Sequence, residues 1–350
     1  MHPFVLDPAS LPPVADLLGA VVTEEVRAGG RNLFRKGHRL SEADLVSLPT
    51  LDRSIHAVRL EMDDVHEDFA GRRLAESVAG AGLGRTLELR GPTQSRYNLV
   101  ATTKGLLRVD GERLRAINLI AGMAVFTLPN GMVVVPGRTV TGVKITPVAV
   151  PEPTLAEAEA IAAAGPVVTV RPFLPLNVGV VSTEGMADRV RQRFRQTVER
   201  KVAWYGGRVV RFEELAAEPA AVAAAIEGLI RDGAQVVLAA GGNTIDPLDP
   251  TLRALPTVGA EMVRFGAPAH PGSMFWLARR GEVPIVNLAS CSMYSQATVA
   301  DLVLPPIMAG ESVGPEQLAD LGLGGLLDRG MSWRFPPYDE EVAARDEEEA

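Results

Sequence analysis

Cysteine is almost absent from these 350 residues. Cys291 stands alone, which excludes an internal disulfide and any multi-cysteine metal site and fits a reducing cytosol. Histidine is nearly as sparse: His2, His38, His56, His66 and His270 are scattered, with no HExxH or other close ligand pair, so zinc catalysis is not expected. No uninterrupted apolar run reaches membrane-spanning length, and the opening MHPFVLDPASLPP lacks the basic and apolar regions of a secretory signal. A long Lys/Arg stripe is missing too; 43 acidic residues outweigh 35 basic ones, for a formal charge of −8. That balance argues against nucleic-acid and membrane partners and for a cytoplasmic protein. A small anion held by local backbone and a few arginines stays open. With no GxxxxGK[ST] and no strand-placed GxGxxG, a nucleotide hydrolase or a dinucleotide-binding oxidoreductase is disfavoured.

What is present is apolar mass, 47% of the residues, over a length that favours two domains. Residues 1–150 read as a mixed α+β domain of unassigned role. Its clearest helix is EDFAGRRLAESVAGAGL, with Phe69, Leu74 and Val78 at helical spacing and Gly80, Gly82 and Gly84 closing it. Strand-like YNLVAT, GLLRVD, MAVFTLP and NGMVVVPGRTVTGVKITPVAV follow, with Asp110-Gly111 and Asn130-Gly131 as turn signals. PEPTLAEAEAIAAAGP, 151–166, is Pro-flanked and Ala/Glu-rich, the composition of a helical connector.

From 167 to 335 strands and helices alternate: VVTVRPFLP, LNVGVVST, the long helix ADRVRQRFRQTVERKVAWYGG, GRVVRFEEL, AAVAAAIEGLIRDG and AQVVLAAGG. A further strand, VPIVNLAS, is expected after a helical stretch following PGSMFWLARRG. Continuous apolar strands separated by helices predict a doubly wound, mostly parallel sheet covered on both faces. In the long helix Val190, Phe194, Val198 and Val202 form a core stripe, with arginines on the other faces. The acidic segment from 336 to 350 is expected to be disordered.

Chemistry concentrates in AAGGNTIDPLDPT, residues 239–251. Gly241 and Gly242 remove Cβ atoms so that a phosphate or flat ring can approach the backbone. Asn243 and Thr244 add side-chain donors. Asp246 and Asp249 are candidate Mg²⁺ ligands, and Thr251 is placed to cap the next helix. The bland alternative is a glycine-rich turn whose Asp249 and Thr251 only cap that helix. Ser182-Thr183-Glu184-Gly185 and NLASCS, 287–292, end two other strands. In an open parallel sheet such ends converge on the ligand crevice.

These residues carry a resemblance. AQVVLAAGGNTIDPLDPT resembles the signature of the molybdenum-cofactor biosynthesis domain, in which a strand ends in Gly-Gly-Thr-Gly and an Asp-x-Thr follows. That domain is shared by molybdopterin adenylyltransferases and molybdotransferases. LNVGVVSTEGM resembles its opening strand and Thr-Gly-Asp-Glu loop, YGGRVVRFEEL its second strand, and FGAPAHPGSMFWLA the Lys-Pro-Gly-Lys-Pro segment of the molybdotransferases. VPIVNLAS stands where the family has a strand ending in Leu-Pro-Gly-Asn-Pro. Gly241, Gly242, Asp249, Thr251, Pro271 and Gly272 match residue for residue. Gly-Gly-Thr-Gly has become Gly241-Gly242-Asn243-Thr244, Thr-Gly-Asp-Glu has become Ser182-Thr183-Glu184-Gly185, and Leu-Pro-Gly-Asn-Pro has become Leu288-Ala289-Ser290-Cys291-Ser292. Among the amino-terminal segments, KGHRLSEADL and VTGVKITPV resemble stand-alone molybdopterin-binding proteins with this domain at their carboxyl half.

The resemblance implies a molybdopterin-binding fold with molybdopterin as ligand or substrate, Mg²⁺ near Asp246 and Asp249, and Asp249 as the catalytic candidate. Ser182, Thr183, Gly241, Gly242, Asn243, Thr244, Thr251, Pro271, Gly272, Ser273, Ser290 and Ser292 become expected binding residues, with His270 and Arg264 as further contacts. Molybdate or a nucleotide as second substrate, a molybdoenzyme partner and a homo-oligomer belong to the same expectation. The altered loops leave two functions open: a molybdotransferase-like enzyme, or a non-catalytic carrier, chaperone or sensor.

Overall fold

Short amphipathic segments and long buried ones divide this chain as their patterning dictates. The computed structural model describes residues 1–28, 31–93, 95–241, 245–288 and 298–338. They fall into two units: Met1–Thr103, Leu107–Asn130 and Pro136–Val170 form the first, and Lys104–Leu106, Gly131–Val135 and Arg171–Ala350 the second. Of the expected site, Gly242, Asn243, Thr244, Ser290, Cys291 and Ser292 lie outside the described residues, as does 339–350.

In the first unit the helix Glu67–Ala79 packs on a four-stranded antiparallel sheet, ordered Met123–Thr127, Thr139–Ile145, Arg96–Ala101, Leu87–Thr93. His66 caps the helix by accepting from the Asp68 amide at 3.2 Å. Its buried face is Ala70, Gly71, Leu74, Ala75 and Val78. Phe69, expected on that face, is 67% exposed, because the alanines and Gly71 set the closest approach to the sheet. Asp110-Gly111 is not a turn between strands. Asp110 caps the helix Gly111–Leu119, accepting from the Arg113 amide at 3.0 Å. The segment expected as a connector is a packed helix, Glu152–Ala163, that buries Leu155, Ala158 and Ala162 and lies against Glu67–Ala79. Arg73 joins the two helices through both carboxylate oxygens of Glu152 and of Glu159.

The second unit contains β1 (Asn177–Ser182), α1 (Asp188–Trp204), β2 (Arg208–Glu214), α2 (Pro219–Arg231), β3 (Val236–Ala240) and α3 (Pro250–Thr257). After these come β4 (Glu261–Phe265), β5 (Trp276–Arg280), β6 (Val283–Leu288), α4 (Val299–Met308) and α5 (Pro315–Asp320). The sheet order is β2-β1-β3-β6-β5-β4. The first four strands are parallel, while β5 and β4 are antiparallel to their neighbours. Where the sequence suggests a helix before VPIVNLAS, the chain makes β5, whose Trp276, Leu277 and Ala278 are buried on alternate faces as a strand requires. Five residues are too few for a helix to compete.

Alternation sorts the core. Val178, Val180, Leu238, Val286 and Leu288 pack against Phe194, Val198 and Val202 of α1 and Val303, Leu304 and Ile307 of α4. Val181, Val237, Ala239 and Ile285 pack on the other face against Val222, Ile226 and Leu229 of α2 and Leu255 of α3. Val190, the first residue of the expected stripe, is 37% exposed and lies in the first turn of α1, outside the helix's buried set of Phe194, Val198, Lys201 and Val202. Tyr338, placed by composition in a disordered tail, is instead 5% exposed and part of the core.

Candidate functional site

The order of the parallel strands locates the site. From β1 the chain crosses over α1 to β2 on one side, then over α2 to β3 on the other, so β1 and β3 are neighbours whose connections depart in opposite directions. The crevice at their carboxyl ends is where an open α/β sheet binds ligands. Ser182 pairs in register with Ala240 there, and the Thr183 amide donates to the Ala240 carbonyl at 3.0 Å.

Gly241 is the hinge of this edge. Its φ of +96° is a conformation other residues adopt at a cost, and a Cβ would lie 2.3 Å from Thr183 Oγ1 and 3.4 Å from the Glu184 nitrogen. Its carbonyl accepts from Asn287 Nδ2 at 3.3 Å. Glycine therefore lets Thr183, just after β1, and Asn287, within β6, both close on the end of β3.

Asp249 Oδ1 accepts from the Thr251 amide at 2.8 Å and the Leu252 amide at 3.3 Å. The cap of α3 is thus Asp249 and not Thr251, which is the second residue of the helix. A carboxylate here also meets the positive end of the helix dipole. Asp246 Oδ1 accepts from the Leu248 amide at 2.9 Å in the preceding turn, and the residue is exposed, whereas Asp249 is 7% exposed. Each carboxylate thus has one oxygen engaged by local backbone. Among the described residues, the three carboxylates that come together are Glu61, Asp63 and Asp64 of the first unit, with the Met1 amine 2.7 Å from Glu61 and 2.9 Å from Asp64.

The segment Pro271-Gly272-Ser273 reaches the same edge, because β5 runs antiparallel to β6 and the loop before it lies at the carboxyl ends. A Cβ on Gly272 would sit 2.9 Å from the Val299 nitrogen, so this glycine packs against the start of α4. Ser273 is exposed. His270 is held by its backbone: its amide donates to the Gly325 carbonyl and its carbonyl accepts from the Leu327 amide, each at 2.8 Å. Arg264 Nε donates to the Gly266 carbonyl at 3.2 Å.

Buried polar atoms without a partner gather on this edge. Among the described residues, Ser182 Oγ, Thr251 Oγ1, Trp276 Nε1 and Asn287 Oδ1 make no hydrogen bond, although their residues are at most 1% exposed. Such atoms are uncommon in folded proteins, because each carries an uncompensated desolvation penalty. By strand alternation Ser182 points to the α1/α4 face, while Asn287, Trp276 and Thr251 belong to the α2/α3 face. Ser182 and Thr251 are among the residues the sequence singles out. The sequence marks Asn287 only as the start of a strand-end segment, and Trp276 only within FGAPAHPGSMFWLA, with no role of its own.

Sequence reasoning also missed a buried network in this unit. Lys201 Nζ donates to Asp301 Oδ1 at 2.7 Å, Thr298 Oγ1 to Asp301 Oδ2 at 2.8 Å and the Tyr338 hydroxyl to Asp301 Oδ1 at 3.0 Å. Tyr205 and Tyr338 hydroxyls are 2.9 Å apart. Burial pushes the Asp301 carboxyl up, an effect opposed by the Lys201 ammonium, and it raises both tyrosines well above their ordinary range. The adjoining cavity, lined by Phe194, Leu238, Leu288 and Asp301 among others, measures about 20 Å³, room for one water and no ligand.

No helix among the described residues is long and apolar enough to cross a membrane. No family model matches the sequence, and no curated protein matches it. Among solved structures the chain is similar to the molybdopterin biosynthesis moea protein from Pyrococcus horikosii, at 14% identity over 70% of this chain and 79% of that one, with a TM-score of 0.30. It is also similar to a structure titled "Putative molybdenum cofactor biosynthesis protein from Corynebacterium diphtheriae", at 16% identity over 37% of this chain and 91% of that one, with a TM-score of 0.25.

Proposed function

We propose that the second unit binds a molybdopterin-type pterin across the β1/β3 crevice and that the protein acts in molybdenum-cofactor biosynthesis, in a molybdotransferase-like role. The observation that carries this reading is the set of unpartnered buried atoms at the carboxyl edge. Ser182, Thr251 and Trp276 offer donors and Asn287 Oδ1 an acceptor. A pterin edge presents both amino donors and carbonyl or ring-nitrogen acceptors, so it complements that mixture where an apolar ligand would not. Gly241, with no Cβ, lets Thr183 and Glu184 close on the end of β3 and so shapes one wall of the crevice. The resemblance of 234–251 to the cofactor-biosynthesis signature points to the same ligand.

Catalysis at such a site is positioning and charge neutralisation, since metal insertion and phosphoryl chemistry need orientation and electrostatics more than a protein nucleophile. Carboxylate oxygens of Asp246 and Asp249 would hold Mg²⁺, which when bound supplies charge for molybdate or a phosphate group. Asp249 also fixes the start of α3, and with it Thr251. A second reading, a carrier or sensor, is favoured by that capping role and by the loss of the family's acidic and Pro-Gly loop residues.

Incubating the whole protein with molybdopterin, molybdate and Mg²⁺, beside Asp249→Ala, separates the two. Metal insertion by the wild type, lost in the variant while pterin still binds, supports the enzyme. Binding by both without insertion supports the carrier; absence of pterin binding overturns both.

A further inference from the structure

The three-stranded sheet of the first unit, ordered His2–Leu6, Ile55–Arg59, Val21–Val22, has two unequal faces. Leu6, Val22 and Ile55 point to one of them, which Leu17, Leu40 and Leu48 close. The other face buries Val21 and Val58 against Val148, a far smaller cluster among the described residues. Strand alternation puts Pro3, which stands opposite Val58 in register, and the 58% exposed Val5 on that same thinly covered face. There the surface opens into a cavity of about 420 Å³, with Pro3, Val58, Pro147 and Val148 among its walls and every lining residue in the first unit. A concave, mostly apolar space of this size suits a small molecule.

Its polar groups are few. Thr23 Oγ1 donates to the His56 carbonyl at 3.2 Å and Thr146 Oγ1 to the Gly122 carbonyl at 3.4 Å, so both lining hydroxyls have committed their protons. The Met1 amine is engaged by Glu61 and Asp64. Lys36 is then the lining side chain with protons still to offer: no carboxylate among the described residues lies at ion-pair distance from it, and the buried Glu67 carboxyl feels its charge from farther away. The turn that carries Lys36 is fixed. The Gly37 amide donates to the Val22 carbonyl at 2.8 Å, the His38 amide to the Arg35 carbonyl at 3.0 Å, and His66 Nε2 to the Gly37 carbonyl at 3.0 Å. Because the Glu67 amide donates to the Val148 carbonyl at 2.9 Å, the lysine turn and the apolar wall are tied to two consecutive residues. Residues 26–41 hold four arginines besides Lys36 and no acid, a local positive field in a chain of net charge −8.

We infer that this cavity binds a small amphipathic anion, its apolar body against Val58 and Val148 and its acidic group at Lys36. Burial of the apolar body supplies most of the affinity, while the exposed lysine adds a smaller, salt-sensitive share and selects the sign of charge.

The test titrates the whole protein with two fluorescent probes that share one apolar body: anionic 1-anilinonaphthalene-8-sulfonate and neutral N-phenyl-1-naphthylamine. The wild type should bind both saturably. Lys36→Gln should weaken the anion about fivefold at low salt, and less at about 0.5 M salt, while leaving the neutral probe unchanged; Lys36→Arg should keep the wild-type affinity. Thr146→Phe, which fills the cavity mouth, should weaken both probes. Lys36 and Thr146 are exposed, so thermal unfolding of the variants should match that of the wild type and show the walls intact. Absence of saturable binding, an anion affinity indifferent to Lys36→Gln, or Thr146→Phe leaving both probes unchanged overturns the inference, since dye held only in the crevice of the second unit would answer to neither residue.

Discussion

Removing Asp301 should destabilise the second unit more than any single surface change. The Lys201 side chain is 11% exposed and that of Asp301 0%, so neither can be rehydrated without unfolding. Asp301→Ala removes the buried ion pair to Lys201 and the acceptor of the Thr298 and Tyr338 hydroxyls, and breaking a buried pair in this way costs about 3–5 kcal/mol. For a unit of this size that corresponds to a drop in Tm of roughly 10 °C. Lys201→Met is milder, because burial already raises the Asp301 carboxyl and protonation can relieve it. Its sign with pH follows. A carboxyl whose folded-state pKa is raised contributes stability that is complete below its unfolded value and is lost as pH rises through the folded one, so Lys201→Met should be weaker at pH 8 than at pH 5. Lys201→Met with Asp301→Ala removes both charges together, and the pair should cost about 2 kcal/mol less than the summed single changes. Urea unfolding of the four proteins at fixed pH gives the cycle. Single variants within about 0.5 kcal/mol of the wild type, or a strictly additive double variant, would refute the account.

Three further outcomes follow from particular atoms. Gly241→Ala should cost about 1–3 kcal/mol from its positive φ and the clash with Thr183. Thr183→Ala in the same chain should relieve the clash but not the φ strain, recovering part of the loss in thermal unfolding. Asp249→Ala should lower stability by about 1–2 kcal/mol through loss of the α3 cap, while Asp249→Asn keeps most of it; equal losses would remove the capping explanation. Burial raises the Glu67 carboxyl, so its contribution is present in acid and lost as pH rises. Glu67→Gln should therefore raise Tm at pH 7–8 relative to wild type, with the gain vanishing near pH 4.

The strand and helix alternation after residue 167 was legible because buried parallel strands read as unbroken apolar runs such as VVLAA. The end of β3 was legible at Gly241, whose φ of +96° is one that glycine suits. What hid from the sequence was non-local. Lys201 and Asp301 are 100 residues apart, and nothing in either neighbourhood marks them as partners. Trp276 and Asn287 carry no local mark of a site, since their unpartnered atoms arise only once β5 and β6 lie side by side. Short elements failed by competition between local signals. Asp-Gly at 110–111 suits a turn and a helix cap equally, and Glu152–Ala163 looked exposed because alanines bury well only when another helix comes close. Tyr338 sits at the start of an acidic run whose composition masks one anchoring ring.

The central claim is that the carboxyl edge of the sheet holds a pterin. Anaerobic fluorescence titration of the whole protein with molybdopterin, beside Asn287→Leu and Ser182→Val, tests it most directly. The account predicts saturable binding by the wild type, weakened about tenfold or more by each substitution in a chain that still unfolds cooperatively, one unmet hydrogen bond to a buried group being worth about that much. Binding that is absent, or indifferent to both residues, would contradict it.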